Sequence, residues 1–424
     1  MPNAQCPMPN AQLPITNYQL PITNYQFLNN MQNLSLENTA IKEKTSSPDI
    51  LVVSRTFFPK EGGIEEYVYS RCLQNSQRTI LLTATFAGYQ DFDQKQQFPV
   101  HRWYLPKIPR LFGLGAIIKQ IWNMFWSFFL AIKLYFRYRY NYIEWGHGYD
   151  FPAILLLSYI LPIKFFIYVH GNDILCPLRN PILKKLFEFT LQRTTGIICN
   201  SSFTRDYLSE KFNFNSPTYV INPVVRAEKF GNNAKNQQYL ENARLNIRKK
   251  YNIPENAIVI LSVGRLVKRK GFGKVIDNLN QLLERGLDVH YIICGRGKMQ
   301  SELEQKASQL QLTQRVHFAG FVTDADLADY YAACDIFAML TFFDAQSASI
   351  EGFGIVYAEA GYFGKPVIAS RVGGVEDAVH HEENGLLVNP DSPEEISQAL
   401  IRLCEDKQLR EKLGSKGMEL GVGS

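Results

Sequence analysis

The chain has 424 residues, 46% of them hydrophobic and 20% charged, with a formal net charge of +5. That length predicts two or three domains, the composition is that of an ordinary soluble globular protein, and so modest a charge excludes nucleic acid as the default partner. The seven cysteines (Cys6, Cys72, Cys176, Cys199, Cys294, Cys334, Cys404) are scattered and form no CxxC pair. This argues against a disulfide framework and a zinc site, and predicts a reducing, cytoplasmic location.

The first 47 residues stand apart. LPITNYQ occurs at 13–19 and again at 20–26, and PNAQ at 2–5 and 9–12. The segment is rich in Asn, Gln and Pro and lacks the basic and apolar regions of a signal peptide. It reads as a disordered, non-functional extension.

Regular patterning begins at residue 48. A strand at 49–54 is followed by a loop and a helix from about residue 64, with Gly62-Gly63 at the turn. Glycines there let backbone approach a phosphate closely, although a Gly-Gly pair is also an ordinary turn. Further segments follow at 79–85, 100–104, from about 115 as a long helix, then at 142–145, 152–159, 164–170, 181–193, 196–200, 202–212 and 219–222. This alternation predicts a doubly wound parallel sheet, whose ligands sit outside the carboxyl ends of the strands. His170 ends one such strand and precedes a glycine, so it is a candidate site residue, with a structural histidine as the alternative. Residues 94–143 contain eight Lys and Arg, many aromatics and no acid. Their apolar run is too short to span a bilayer. It reads either as an interfacial helix attracted to anionic lipid or as a core helix with a basic edge.

A boundary is predicted near Asn222-Pro223, with a polar linker at 231–239. A strand at 258–263 then runs into Gly264-Arg265-Leu266-Val267-Lys268-Arg269-Lys270-Gly271-Phe272. Cations at a strand end before a helix suit a diphosphate, Arg265 as a planar fork and Lys270 as a point charge. A solvated basic loop is the plainer reading. The strand at 291–295 ends in Gly295-Arg296-Gly297, and no GxGxxG follows the first strand, which speaks against a nicotinamide dehydrogenase. Segments at 316–321, 325–332 and 335–340 lead to Glu351-Gly352-Phe353-Gly354-Ile355-Val356-Tyr357-Ala358-Glu359. Gly354 starts a helix there, freeing the Ile355 and Val356 N–H groups for an anion. Glu351 in the loop and Glu359 one turn into the helix can accept from sugar and ribose hydroxyls. A solvated helix start with two surface glutamates is the alternative. Helices at 393–404 and 407–413 are followed by four glycines in the last eleven residues, which predicts no helix beyond Leu413.

EGFGIVYAEA, followed by GKPVIAS and a Gly-Gly, resembles the donor-site signature of retaining glycosyltransferases of family 4, and GRLVKRKGF and VHGND resemble two more of that family's motifs. The resemblance spans roughly residues 48–405. It implies two Rossmann-like α/β domains facing across a cleft, the GT-B fold: an acceptor-side domain at 48–222 and a donor-binding domain at 223–424, the latter without the family's full crossover helix. It further implies that Arg265 and Lys270 clamp a nucleoside-diphosphate sugar, that Gly62 and Gly63 face the diphosphate, and that Gly295 and Gly297 line the base pocket. Gly354, Ile355, Val356 and Glu359 would complete the donor site, with His170 and Glu351 on the transferred hexose. The acceptor would be a hydroxyl-bearing glycan or lipid. No cofactor or metal is expected, since Asp91-Phe92-Asp93 lacks a second ligand cluster. The family's usual aspartate after Asn222 is replaced here by the Pro-Val-Val sequence. A sugar-nucleotide epimerase and a non-catalytic, membrane-associated binding protein are the alternatives, and peripheral contact with the inner face of an anionic membrane is the expected location.

Overall fold

A computed structural model describes residues 48–106, 114–231, 234, 236–344 and 349–422. The repeats at 1–47 and part of the expected linker lie outside these residues. Two wholly parallel sheets form on either side of Asn222. The first contains β1 (Ile50–Ser54), β2 (Thr79–Ala84), β3 (Val100–Trp103), β4 (Tyr142–Trp145), β5 (Lys164–Val169), β6 (Gly196–Cys199) and β7 (Thr218–Val220), in the order β3-β2-β1-β4-β5-β6-β7. The second contains β8 (Ile258–Val263), β9 (Val289–Cys294), β10 (Val316–Gly320), β11 (Ile336–Met339), β12 (Val367–Ser370) and β13 (Gly385–Val388), in the order β10-β9-β8-β11-β12-β13. The central strands are buried along their whole length rather than on alternate residues. Helices on both faces of a parallel sheet require this, and it explains why the strands read as continuous apolar runs.

The order of each sheet reverses once, between β1 and β4 in the first and between β8 and β11 in the second. Crevices open at the carboxyl ends of strands at such switch points, so each sheet offers one binding edge. Hydrogen bonds join the two halves: Asp377 Oδ2 accepts from the Ser202 backbone N–H at 2.8 Å and from Asn222 Nδ2 at 3.1 Å, Asn172 Oδ1 accepts from the Ile350 N–H at 2.9 Å, and Glu66 Oε1 accepts from Arg226 Nε at 2.7 Å. Asn222, flanked by the unusual Pro-Val-Val, is thus a tie between the two halves.

One expectation is overturned. The chain does not lose helicity after Leu413 but continues as one helix over Lys407–Val422, packed on the helix Ile355–Tyr362. The glycines are what allow that packing. A Cβ added at Gly414 would fall 2.1 Å from the Gly364 carbonyl oxygen, and one at Gly417 would fall 3.0 Å from the Gly361 Cα. Close approach of two helices outweighs the roughly 1 kcal/mol propensity cost of each glycine. Propensity and packing therefore predict opposite signs for Gly414→Ala. Packing predicts destabilisation by about 1–3 kcal/mol in urea unfolding, and a more stable variant would refute the packing account.

Candidate functional site

The carboxyl ends of β1, β4 and β5 face those of β8, β9 and β11 across a cleft of about 420 Å³. Into it come Gly62 and Gly63 from the loop after β1, His170 after β5, Arg265, Arg269 and Lys270 after β8, and Gly295 after β9. The segment after β11 adds Glu351, Gly354, Ile355, Val356 and Glu359. Of the residues singled out in the sequence, Gly297 alone is misplaced. It does not line the cleft, and a Cβ there would fall 2.3 Å from the Leu266 carbonyl oxygen, so its role is to let two loops touch. Gly295 combines both roles, since a Cβ on it would fall 1.9 Å from the Gly264 oxygen.

Glu351 is the centre of the cleft's electrostatics. Its Oε2 accepts from Arg269 Nη1 at 2.8 Å and from Lys270 Nζ at 2.5 Å. Burial by itself would push the carboxyl up, but the two cations more than offset it and hold Glu351 down to about 2. Lys270 moves the other way from the usual ion-pair response. Burial lowers its pKa despite Glu351, and Arg269 and Arg265 lower it further. Two cations thus share one carboxylate, and a third, Arg265, is exposed with no ion-pair partner among the described residues. A second anion would relieve that imbalance. Arg269 is not distinguished in the sequence, where it is one of four cations in the run 264–272. Its partner became visible only when the loop after β11 closed over it.

Gly271 has φ +71°, and a Cβ there would fall 1.8 Å from the Leu340 carbonyl oxygen. No other residue lets Arg269-Lys270 lie against the end of β11. On the opposite side Gly354, at φ +84°, starts the helix Ile355–Tyr362, whose Tyr357 hydroxyl donates to the Met339 carbonyl at 2.9 Å. The first N–H groups of that helix have no acceptor within it, so they face the cleft as donors.

Glu359 is buried and already engaged. Its Oε1 accepts from Lys229 Nζ at 2.6 Å and its Oε2 from the Tyr331 hydroxyl at 2.9 Å. Burial alone would lower the Lys229 pKa, but Glu359 and Asp324 outweigh it and raise it. Neither Lys229 nor Tyr331 carried a sequence signal that marked it as a partner of Glu359. His170 is buried, and its Nε2 donates to the Gly146 carbonyl at 2.9 Å. Asp173 accepts from the His170 and Gly148 backbone N–H groups at 2.9 and 2.8 Å and so shapes the turn. A Cβ at Gly352 would fall 2.3 Å from the His170 carbonyl oxygen, so that glycine brings the Glu351 loop directly against the His170 turn. Asp93, in the DxD-like segment, is bound by Arg102 at 2.8 Å, and Phe92 packs among Phe57, Phe58 and Tyr69.

Beside the cleft, after β4, Asp150 is buried with neither carboxylate oxygen hydrogen-bonded. Arg55 Nη1 and His147 Nε2 each lie 3.7 Å away. His147 Nε2 accepts from the Arg55 backbone N–H at 3.0 Å, and burial keeps its imidazole neutral. Burial raises Asp150 from 3.8 to about 6, more than Arg55 lowers it. An acid whose folded pKa lies above its unfolded value adds stability below about pH 4 that is lost as pH rises through 6. Asp150→Asn should therefore gain roughly 2–3 kcal/mol over the wild type at pH 8 and little at pH 4 in urea unfolding. The same difference at both pH values would show that the carboxylate is not strained.

The geometry can be set beside known proteins. Residues 62–229 match the model of Glycosyltransferase Family 4, and residues 243–420 match that of Glycosyl transferases group 1. A GDP-mannose-dependent alpha-(1-6)-phosphatidylinositol monomannoside mannosyltransferase of Mycobacterium tuberculosis is 27% identical over 253 residues, 59% of this chain and 63% of that protein. A lipopolysaccharide core biosynthesis glycosyltransferase of Rhizobium meliloti is 33% identical over 176 residues, 42% of this chain and 48% of that one. The chain therefore spans less than two thirds of the length of these relatives. Among solved structures, Anabaena HepE in complex with UDP and glucose superposes with a TM-score of 0.68 at 22% identity, over 88% of this chain and 94% of that one. Sucrose-phosphate synthase of Thermosynechococcus elongatus gives 0.70 at 21% identity, over 88% and 93%. At these identities the likeness establishes the two-domain GT-B fold. With β2 to β7 matched by one glycosyltransferase model and the whole second sheet by the other, the chain is consistent with a group 1, family 4-like glycosyltransferase.

Proposed function

We propose that the chain transfers a hexose from a nucleoside-diphosphate sugar to a hydroxyl-bearing glycan or lipid acceptor, with retention at the anomeric carbon and without a metal ion. The observation that carries this reading is the excess of positive charge at the carboxyl end of β8. Arg269 and Lys270 share the Glu351 carboxylate and Arg265 has no ion-pair partner among the described residues, next to the open N–H groups of Ile355 and Val356. A diphosphate supplies the missing negative charge. Support also comes from the relatives' names, which describe GDP-mannose-dependent and lipopolysaccharide-core enzymes, and from the UDP complexes of the structural neighbour.

The bond from the anomeric carbon to the diphosphate oxygen breaks, and the acceptor hydroxyl oxygen bonds to that carbon from the same face. The acceptor proton passes to the departing phosphate oxygen. Charge grows on that oxygen as the bond lengthens, and preorganised cations and amides lower the barrier because they need not reorganise. Arg265, Lys270 and the two amides take this role. Arg269 holds Glu351 so that its carboxylate keeps one direction, toward hexose hydroxyls. Glu359, pinned by Lys229 and Tyr331, offers its remaining lone pairs to the ribose.

Arg265→Ala and Lys270→Ala should each cost about 2–4 kcal/mol of transition-state stabilisation, read as kcat/KM with the best donor found in a screen of UDP-, GDP- and ADP-sugars. Rates within a factor of two of wild type in both variants would remove the clamp. In the same assay, turnover should persist in excess EDTA. Abolition by EDTA and rescue by magnesium or manganese would show that a metal, not these side chains, neutralises the diphosphate. Product analysis without acceptor separates transfer from epimerisation, because an epimerase would release an altered sugar nucleotide.

A further inference from the structure

The helix Leu114–Tyr138 buries Ala131 and Leu134 but is apolar on its exposed side as well. Its buried positions include Asn123 and Ser127, while Ile117, Ile118, Ile121, Phe125, Phe129 and Phe136 are exposed. Asn123 is held inside by the indole N–H of Trp103, which donates to its Oδ1 at 2.8 Å. A surface helix of a globular protein normally turns its apolar stripe to the core. Here the sequence left two readings open, core or interface, and the exposed Phe125 and Phe129 decide against a purely core role. Trp122, Trp126 and Phe128 do pack on the core.

The pattern extends to two neighbours. The helix Phe151–Ile160 packs beside Leu114–Tyr138, and Pro181–Arg193 packs beside Phe151–Ile160. Leu156, Tyr159 and Ile160 are exposed on the former, and Ile182 and Phe189 on the latter. The three helices carry Lys119, Lys133, Arg137, Lys184, Lys185 and Arg193 against one acid, Glu188. Scattered exposed apolar side chains need no explanation, but a run along one helix continued on two adjoining ones does.

We propose that this three-helix face is a docking surface for an anionic lipid bilayer. Two features commit it to that partner. No helix among the described residues is long and apolar enough to cross a membrane, so the face would lie along the surface rather than insert across it. Its charge is predominantly positive, six cations to one acid, so a second copy placed face to face would set cations against cations, whereas anionic head groups complement them. Apolar side chains supply the penetration into the head-group boundary, and the cations draw the protein to the surface. The face is also close to the cleft. Phe151–Ile160 is about 15 Å long and starts next to Tyr149, which lines the cleft. This surface does not depend on the transfer reaction proposed above, and its test needs no donor.

The test is sedimentation of the full chain with vesicles of phosphatidylcholine alone or mixed with phosphatidylglycerol, at low and high salt. Wild type should pellet with the mixed vesicles and about tenfold less with phosphatidylcholine alone. Combined Ile121→Ser, Phe125→Ser and Phe129→Ser should cut binding about tenfold even at low salt. Lys133→Glu with Arg137→Glu should cut it comparably, with little further loss at high salt, and it decides the question if the serine variant fails to fold. No pelleting of wild type with either vesicle, or binding of both variants at the wild-type level, overturns the proposal. So does light scattering that shows a wild-type dimer turned monomeric by the serine substitutions, which would mean that a second copy covers the face.

Discussion

Glu351 accepts two charge-assisted hydrogen bonds, from Arg269 and Lys270, in a place from which water is largely excluded. Each ion alone would be expensive to bury. Together they fix the loop after β11 against the loop after β8, and the rest of the cleft is referred to that contact. The pairing leaves positive charge over, because Arg265 is not consumed by it, while burial and then the neighbouring cations depress Lys270. A stable apo structure and an appetite for an anion thus come from one arrangement. Its cost is carried by geometry: Gly271 must adopt a left-handed backbone, and nothing larger fits beneath the Leu340 carbonyl.

Glycines then decide how closely the two halves can meet. Gly352 lies against the His170 carbonyl, and Gly374 against the Gly352 carbonyl, where a Cβ would fall 1.9 Å from that oxygen. The Gly374 N–H donates to the Glu351 carbonyl at 3.0 Å. The Glu351 loop is therefore held between a turn of the first sheet's domain and a Gly-Gly turn of its own. Asp377, on the helical turn Gly373–Asp377, bonds Ser202 and Asn222 of the other half. Sheet topology brings two binding edges into opposition, and these contacts set the distance between them.

Much of this was legible in the sequence because parallel strands and strand-end motifs are local signals. Continuous apolar runs gave the sheets, and the cations after β8 and the Glu-x7-Glu segment marked the second domain's edge. Pairings between distant residues were not legible. Arg269 looked like its neighbours until Glu351 lay beside it, and Lys229 and Tyr331 carried no mark of their contact with Glu359. The last helix is hidden from the sequence for a different reason. Glycine's propensity is a property of an isolated helix, whereas Gly414 and Gly417 sit where another backbone presses against them. The exposed aromatics of Leu114–Tyr138 were ambiguous because periodicity shows that a helix has faces but not which face is covered.

The central claim is that the unsatisfied positive charge beside Glu351 is a diphosphate site. Calorimetric titration of the full chain with a nucleoside and with its diphosphate, at several salt concentrations, tests it directly. The account predicts one diphosphate bound per chain, at least about a hundredfold tighter than the nucleoside, with an affinity that falls as salt rises. Equal affinity for the two, unaffected by salt, would contradict it.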